Sequence, residues 1–262
     1  MKEFIDRTNY NVGFLAIAVL TLVLLFGNSG NILAAYEEGD VSNGGTITGT
    51  VKLAGDVPAA KTWKVDKDQA TCGHDDIPSE ALIVSGDGAL KNVVVSITKI
   101  SKGKKFEGGT ASSIDQKGCV FSPHVAIIPP GSTIDLLNSD DVMHNLHSWS
   151  MKNTAFNEGV AGHGKLPKTF EFPETIKMTC DVHKWMTAWL VVQANPYYAL
   201  TGADGKFKLE GVPAGTYTVQ AWQESLGKTT QEVTVSAGGE AKADFELTKK
   251  AKKKRKRRKK EK

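Results

Sequence analysis

From Thr46 onward, Gly, Pro, Asn and Asp interrupt this chain at short intervals, and between the interruptions apolar residues alternate or run in brief Val/Ile-rich blocks. Short strands separated by turn signals every 8–12 residues or so are the pattern of a β-sandwich. No stretch sustains the apolar spacing of a long amphipathic helix, which excludes a helical bundle. The expected strands are Thr46–Leu53, Ala81–Ser85, Asn92–Ile100, His124–Ile128, Thr133–Leu137 and His144–Ser150. Lys168–Phe172 and Thr175–Cys180 read as a hairpin about Pro173-Glu174, and Ala188–Ala194 as a buried strand. After Tyr197 come K-F-K-L-E, T-Y-T-V-Q-A-W, Q-E-V-T-V and A-D-F-E-L, with turns at Asp204-Gly205 and Pro213-Ala-Gly215. Glu37–Gly45 reads as a linker, and Lys102–Gly109 and Lys152–Lys165 as loops.

The two ends do not belong to this pattern. Lys2 and Arg7 precede an apolar run from Val12 to Phe26, and small residues follow as far as Ala34-Ala35. A run of this length fits a signal peptide and falls short of the roughly 20 residues that span a bilayer. Glu3 and Asp6 weaken the positive start, so residues 1–35 are expected to be either a cleaved signal or a retained membrane anchor. Both place the body in a periplasmic or extracellular compartment. At the other end, residues 249–262 hold twelve Lys/Arg against one Glu, so without them the formal charge of +4 becomes −7. This tail is too charged to fold alone. It reads either as a solubilising extension or as a salt-sensitive contact to an anionic surface, a membrane or an acidic partner. An acidic body argues against nucleic acid as a partner.

Three cysteines are an odd number for an exported chain and leave one thiol over. Cys72 and Cys119 either pair as a disulfide or belong to a second metal site with His74 or His124. The third, Cys180, opens Cys180-Asp-Val-His183-Lys-Trp-Met186. A soft thiolate, an imidazole and a weak thioether make up most of the donor set of a mononuclear blue-copper site, which needs one more His. His144-Asn-Leu-His147 offers it at the start of a strand, and only one of the two can face the site because alternate side chains point to opposite faces. Loops gathered at one end of a sandwich could bring that strand and the Cys-His-Met loop together. His124 and His163 read as structural and solvated residues respectively. No carboxylate pair or nucleophile arrangement suggests hydrolase or lyase chemistry, and the chain is not expected to be an enzyme.

P-P-G-S-T-I, L-L-N-S-D-D-V-M-H-N-L-H, E-T-I-K-M-T-C-D-V-H-K-W-M and A-W-L-V-V, between Ile127 and Gln193, resemble the cupredoxins, and amicyanin-like proteins most closely. The resemblance implies a Greek-key β-sandwich over residues 118–194 that holds one type 1 copper ion. It implies His144, Cys180, His183 and axial Met186 as ligands, Asn145 as the hydrogen-bonding tie between the two ligand loops, and redox proteins as partners. Asp181 departs from the small hydroxyl residue usual after the cysteine. A carboxylate there would lower the reduction potential, so Asp181→Thr is expected to raise it, unless Asp181 points into solvent. Trp185, between two ligands, is expected to be partly exposed beside His183 in a partner-docking patch, the usual electron exit of that family.

Leu200–Trp222, L-T-G-A-D-G-K-F-K-L-E-G-V-P-A-G-T-Y-T-V-Q-A-W, resembles a carboxypeptidase regulatory-like, transthyretin-type sandwich. Gly45-Thr-Ile-Thr-Gly-Thr-Val and Asn92–Thr98 resemble the first strands of the same module. The expected architecture is therefore all-β, with the copper unit inserted in, or adjacent to, a module made of residues 44–100 and 195–248. Beside electron transfer stand two other readings: copper storage or delivery, and a surface or carbohydrate-binding module whose cupredoxin part is structural.

Overall fold

In the computed structural model, residues 36–249 are described. The apolar N-terminal run and the basic tail beyond Lys249 lie outside them. Among the described residues the single helix is Gln69–Cys72, and no helix is long and apolar enough to cross a membrane.

Four sheets carry the structure. Two are built from residues 113–192. One has the order Lys165–Phe170, Ser132–Asn138, Ser113–Lys117, Val120–Ser122. The other has the order Asn157–Val160, His144–Ser148, Glu174–Thr179, Thr187–Val192, Val125–Ile128. Their facing side chains, among them Ile134, Leu136, Leu146, Ile176, Met178 and Leu190, form one apolar core. The other two sheets join strands far apart in sequence. Val94–Ile97 lies between Tyr198–Leu200 and Gly215–Gln223, which pairs on with Gly227–Val235. Gly45–Leu53 pairs with Lys206–Val212 on one side and with Glu240–Lys242 and Phe245–Leu247 on the other. Ile47, Val51, Val95, Ile97, Leu209 and Val219 fill this second core.

The continuous apolar runs in the sequence mark where the two sandwiches meet. In Val94–Ile97 and Val125–Ile128 every residue is buried. Successive side chains of a strand point to opposite faces, so such strands must be covered on both sides. Val95 and Ile97 face the second core, and Ala126 and Ile128 the first. Val94, Val125, Ile127 and Val191 meet in a third cluster between them, closed by Trp189 and Trp222 edge-to-face at 5.1 Å. Glu224 completes this seam by binding His124 Nε2 and accepting from Trp189 Nε1 at 2.8 Å.

Several expectations are corrected. Lys165–Phe170 and Glu174–Thr179 are not a hairpin, because they pair in different sheets and the chain crosses between sheets at Glu171–Pro173. The expected 152–165 loop contains an edge strand, Asn157–Val160, on His144–His147. Glu37–Glu38, expected in a linker, pairs with Lys102–Gly103. Ala81–Ser85 forms a turn with a single bridge, Val84 to Leu90. Residues 54–80, between the first strand and the sandwich of residues 113–192, form a covering segment that sends Val65, Cys72 and Ile77 into that sandwich's core.

Candidate metal centre

His144 is the first residue of His144–Ser148, and strand alternation decides which histidine points inward. His144, Leu146 and Ser148 are buried, while Asn145 and His147 take the other face. Cys180 follows the last residue of Glu174–Thr179, and the next strand begins at Thr187, so the intervening residues must turn sharply. The turn is held by Met186 N–H donating to the His183 carbonyl at 2.9 Å, and by His183 N–H donating to Cys180 Sγ at 3.4 Å. Met186 is itself buried in the first core.

The two strand ends converge. His144 Nδ1 and His183 Nδ1 lie 2.9 Å apart, and Cys180 Sγ is 3.8 Å from His183 Nδ1. All three donors lie within 4.8 Å of one another. Both imidazoles are 0 % exposed and Cys180 2 %. His144 Nε2 hydrogen-bonds Asp140 Oδ2, and His183 Nε2 hydrogen-bonds Asp68 Oδ2, both at 2.8 Å. With each Nε2–H given to a carboxylate, each Nδ1 presents a lone pair to the other. Two buried lone pairs at that separation repel unless a proton or a cation sits between them. An ion with bonds of about 2.0 Å to nitrogen and about 2.3 Å to thiolate spans these separations. The residues therefore fit a metal. Burial lowers the His144 pKa below its ordinary value; the Asp140 hydrogen bond opposes this, and the nearby His183 ring adds to the lowering. The net effect favours the neutral, ligating form.

Asn145 links the two ligand segments. Its Oδ1 accepts from Asp181 N at 2.7 Å and from the Cys180 thiol at 3.3 Å, and its Nδ2 donates to Asn157 Oδ1 at 2.5 Å. Asp181 turns away from the thiol. Its carboxylate accepts from Asn157 Nδ2 at 2.7 Å and meets His147 Nδ1 at 3.2 Å, on the exposed outer face. His147 stacks on Trp149 at 4.1 Å and stays outside the cluster.

Trp185 differs from the expected docking position. It is 9 % exposed, and its indole N–H donates to the Cys119 carbonyl at 2.9 Å. It packs 5.1 Å from the His183 ring, but the segment carrying Asp68 and Cys72 covers this side of the site. Cys72 and Cys119 are joined as a disulfide, leaving Cys180 as the free thiol. The alternative sites with His74 or His124 therefore do not form: His124 is engaged by Glu224, and His74 is exposed. His163, also exposed, pairs with Asp141 at 2.9 Å.

Asp68 and Asp140 were not singled out in the sequence. Asp140 had a local clue, four residues ahead of a candidate ligand at a strand start. Asp68 had none, lying 115 residues from its partner.

Among solved structures, the chain is similar to a copper-containing nitrite reductase from Thermus scotoductus, at 19 % identity and TM-score 0.30, over 37 % of this chain and 25 % of that one. The chain thus spans about a quarter of that reductase. It is also similar to a purple cupredoxin from Nitrosopumilus maritimus, at 23 % identity and TM-score 0.28, over 31 % of this chain and 99 % of that one. A reduced Cu(I) amicyanin variant matches at 20 % identity and TM-score 0.30, over 32 % of this chain and 83 % of that one. No curated protein matches the chain. Residues 190–248, which run from the end of Thr187–Val192 through the C-terminal strands of the second sandwich, match the model of the carboxypeptidase regulatory-like domain family.

Proposed function

We propose that this chain is an exported type 1 copper protein that carries single electrons between redox partners. His144 Nδ1, Cys180 Sγ and His183 Nδ1 would hold one ion, with the thioether of Met186 as a further donor. The observation that carries this reading is the buried facing pair of Nδ1 atoms beside a free thiol, with both Nε2 atoms already committed to carboxylates. Copper, when bound, supplies the one-electron couple. The His183 N–H directed at Cys180 Sγ stabilises a thiolate. Asn145 fixes the spacing of the two ligand segments, so little has to move between oxidation states. With all four donors supplied by the protein, no position is left for a substrate, and the proposed role is non-enzymatic. The Cys72–Cys119 disulfide supports an oxidising compartment.

Because the His183 edge is covered, His147 and Trp149, which is 55 % exposed and stacked on it, would offer the route to a partner on the Cys180–Asp181 side. Trp149→Ala is expected to slow electron exchange several-fold without altering the copper spectrum.

Adding Cu(II) to the protein is expected to give an intense visible thiolate-to-copper absorption that Cys180→Ser abolishes. Copper bound without that absorption would replace electron transfer by storage or delivery. No copper binding would leave only a structural role for the first sandwich.

A further inference from the structure

Asp68 occupies the N-cap of the helix Gln69–Cys72 but makes no side-chain capping bond. An N-cap carboxylate ordinarily accepts from a backbone N–H one turn into its own helix. Here its Oδ2 instead meets His183 Nε2 at 2.8 Å. The backbone at Asp68 is left-handed, with φ 47° and ψ 40°, a region that Asp tolerates better than most residues but that is uncommon outside glycine. The carboxylate is thus withdrawn from local use and directed at a residue far along the chain.

The surroundings hold it there. Thr71 N–H and Cys72 N–H donate to the Asp68 carbonyl at 2.9 and 2.8 Å, fixing the helix to its cap. Cys72 is tied by the disulfide to Cys119, and Cys72 Sγ lies 3.8 Å from His183 Nε2. The other half of the same disulfide braces the other histidine. Cys119 N–H and Gly118 N–H donate to the Asp140 carboxylate at 2.8 and 2.6 Å, and Asp140 holds His144. A single covalent link therefore sets both carboxylates, one on each imidazole.

We infer that Asp68 is a positioning residue of the metal centre, acting through His183: it keeps the Nε2–H tautomer and turns Nδ1 towards the ion. This inference rests on the proposed copper site. A carboxylate on the far nitrogen of a ligating imidazole fixes the ring and makes it a stronger donor, which favours the more highly charged metal state. Asp68 comes from the segment ahead of the sandwich it completes, so that segment is a working part of the centre as well as a cover.

The test uses Asp68→Gly, which removes the carboxylate and tolerates the positive φ, and Asp68→Asn, which keeps an acceptor but removes the charge. In the metal-free wild type, nitrogen NMR is expected to show His183 protonated at Nε2, and in Asp68→Gly substantially at Nδ1. Cu(II) affinity is expected to fall about tenfold or more in Asp68→Gly and less in Asp68→Asn, with a higher reduction potential in both. An unchanged tautomer together with unchanged Cu(II) affinity in Asp68→Gly would overturn the inference. If wild type binds no Cu(II), the proposed function fails and the tautomer measurement alone decides the role of Asp68.

Discussion

Glu174 accepts from Ser150 Oγ at 2.6 Å, from Met151 N–H at 2.6 Å and from Asn153 N–H at 3.1 Å, and so organises the whole turn 150–153. Burial alone would raise its pKa, but these bonds outweigh that and bring it down from 4.5 to about 2. Because the folded value lies below the unfolded one, its contribution is complete above about pH 4.5 and is lost as the pH falls towards 2. Glu174→Gln is expected to cost about 1 kcal/mol at neutral pH, after allowance for solvent screening, with the difference vanishing in acid. Denaturant titrations at several pH values check this. Asp181 makes fewer bonds, to Asn157 first and to His147, and these too lower its pKa. Its exposed carboxylate is screened from the thiol, so the rise in potential expected for Asp181→Thr shrinks to a small one, and voltammetry should find the larger shift in Asp68→Asn. Cys180, His183 and Met186 were legible as candidate ligands because soft donors at C-x-x-H-x-x-M spacing are chemically unusual. The carboxylates on the two imidazoles were far less so, since one loop Asp looks like another until the fold brings it to an imidazole.

At the scale of elements, legibility followed the strength of alternation. Gly45–Leu53 and Gly227–Val235 alternate cleanly and were found within a residue or two, or within their bounds. Asn157–Val160 was missed because an edge strand with Gly at its centre buries a single side chain, Val160, and leaves no period to read. The false hairpin at Pro173-Glu174 has a related cause. Two strands joined by a short polar turn look the same whether they pair with each other or part into facing sheets. Gly49 shows the opposite case, a residue whose reason is visible only in space. A Cβ there would press into the Ala243 backbone, 2.6 Å from its carbonyl carbon, and against Phe207 at 2.9 Å. Gly49→Ala should therefore force apart Gly45–Leu53 and the chain at Ala243, at a cost of about 1–3 kcal/mol. Thermal unfolding measures it. Because the proposed copper site lies in the other sandwich, the visible absorption expected of it should survive.

Across the whole molecule, the apolar seam and the His124–Glu224–Trp189 contacts join the two sandwiches. Trp222→Ala removes the edge-to-face partner of Trp189 and is expected to cost about 2 kcal/mol. Calorimetry should then resolve a single unfolding transition into two as the sandwiches uncouple. The general all-β character was readable from the turn spacing. The seam was readable only as Val/Ile runs whose second buried face had no evident partner.

Among the described residues, Gly45–Leu53 bridges to nearby Ala89 at Lys52 but finds its strand partners in Lys206–Val212, Glu240–Lys242 and Phe245–Leu247. A ribosome adding about 5–20 residues per second leaves this strand without them for on the order of ten seconds. In that interval the sheets of residues 113–192 have their full complement of strands and can close. The waiting strand carries two open edges and an alternating Thr/Ile/Val face, the kind of surface that recruits other chains. Gly49 at its centre and Lys52 near its end are features that weaken such pairing. The nested connectivity thus imposes a timetable: the sandwich that carries His144, Cys180 and His183 is assembled first, and the frame around it is sealed last.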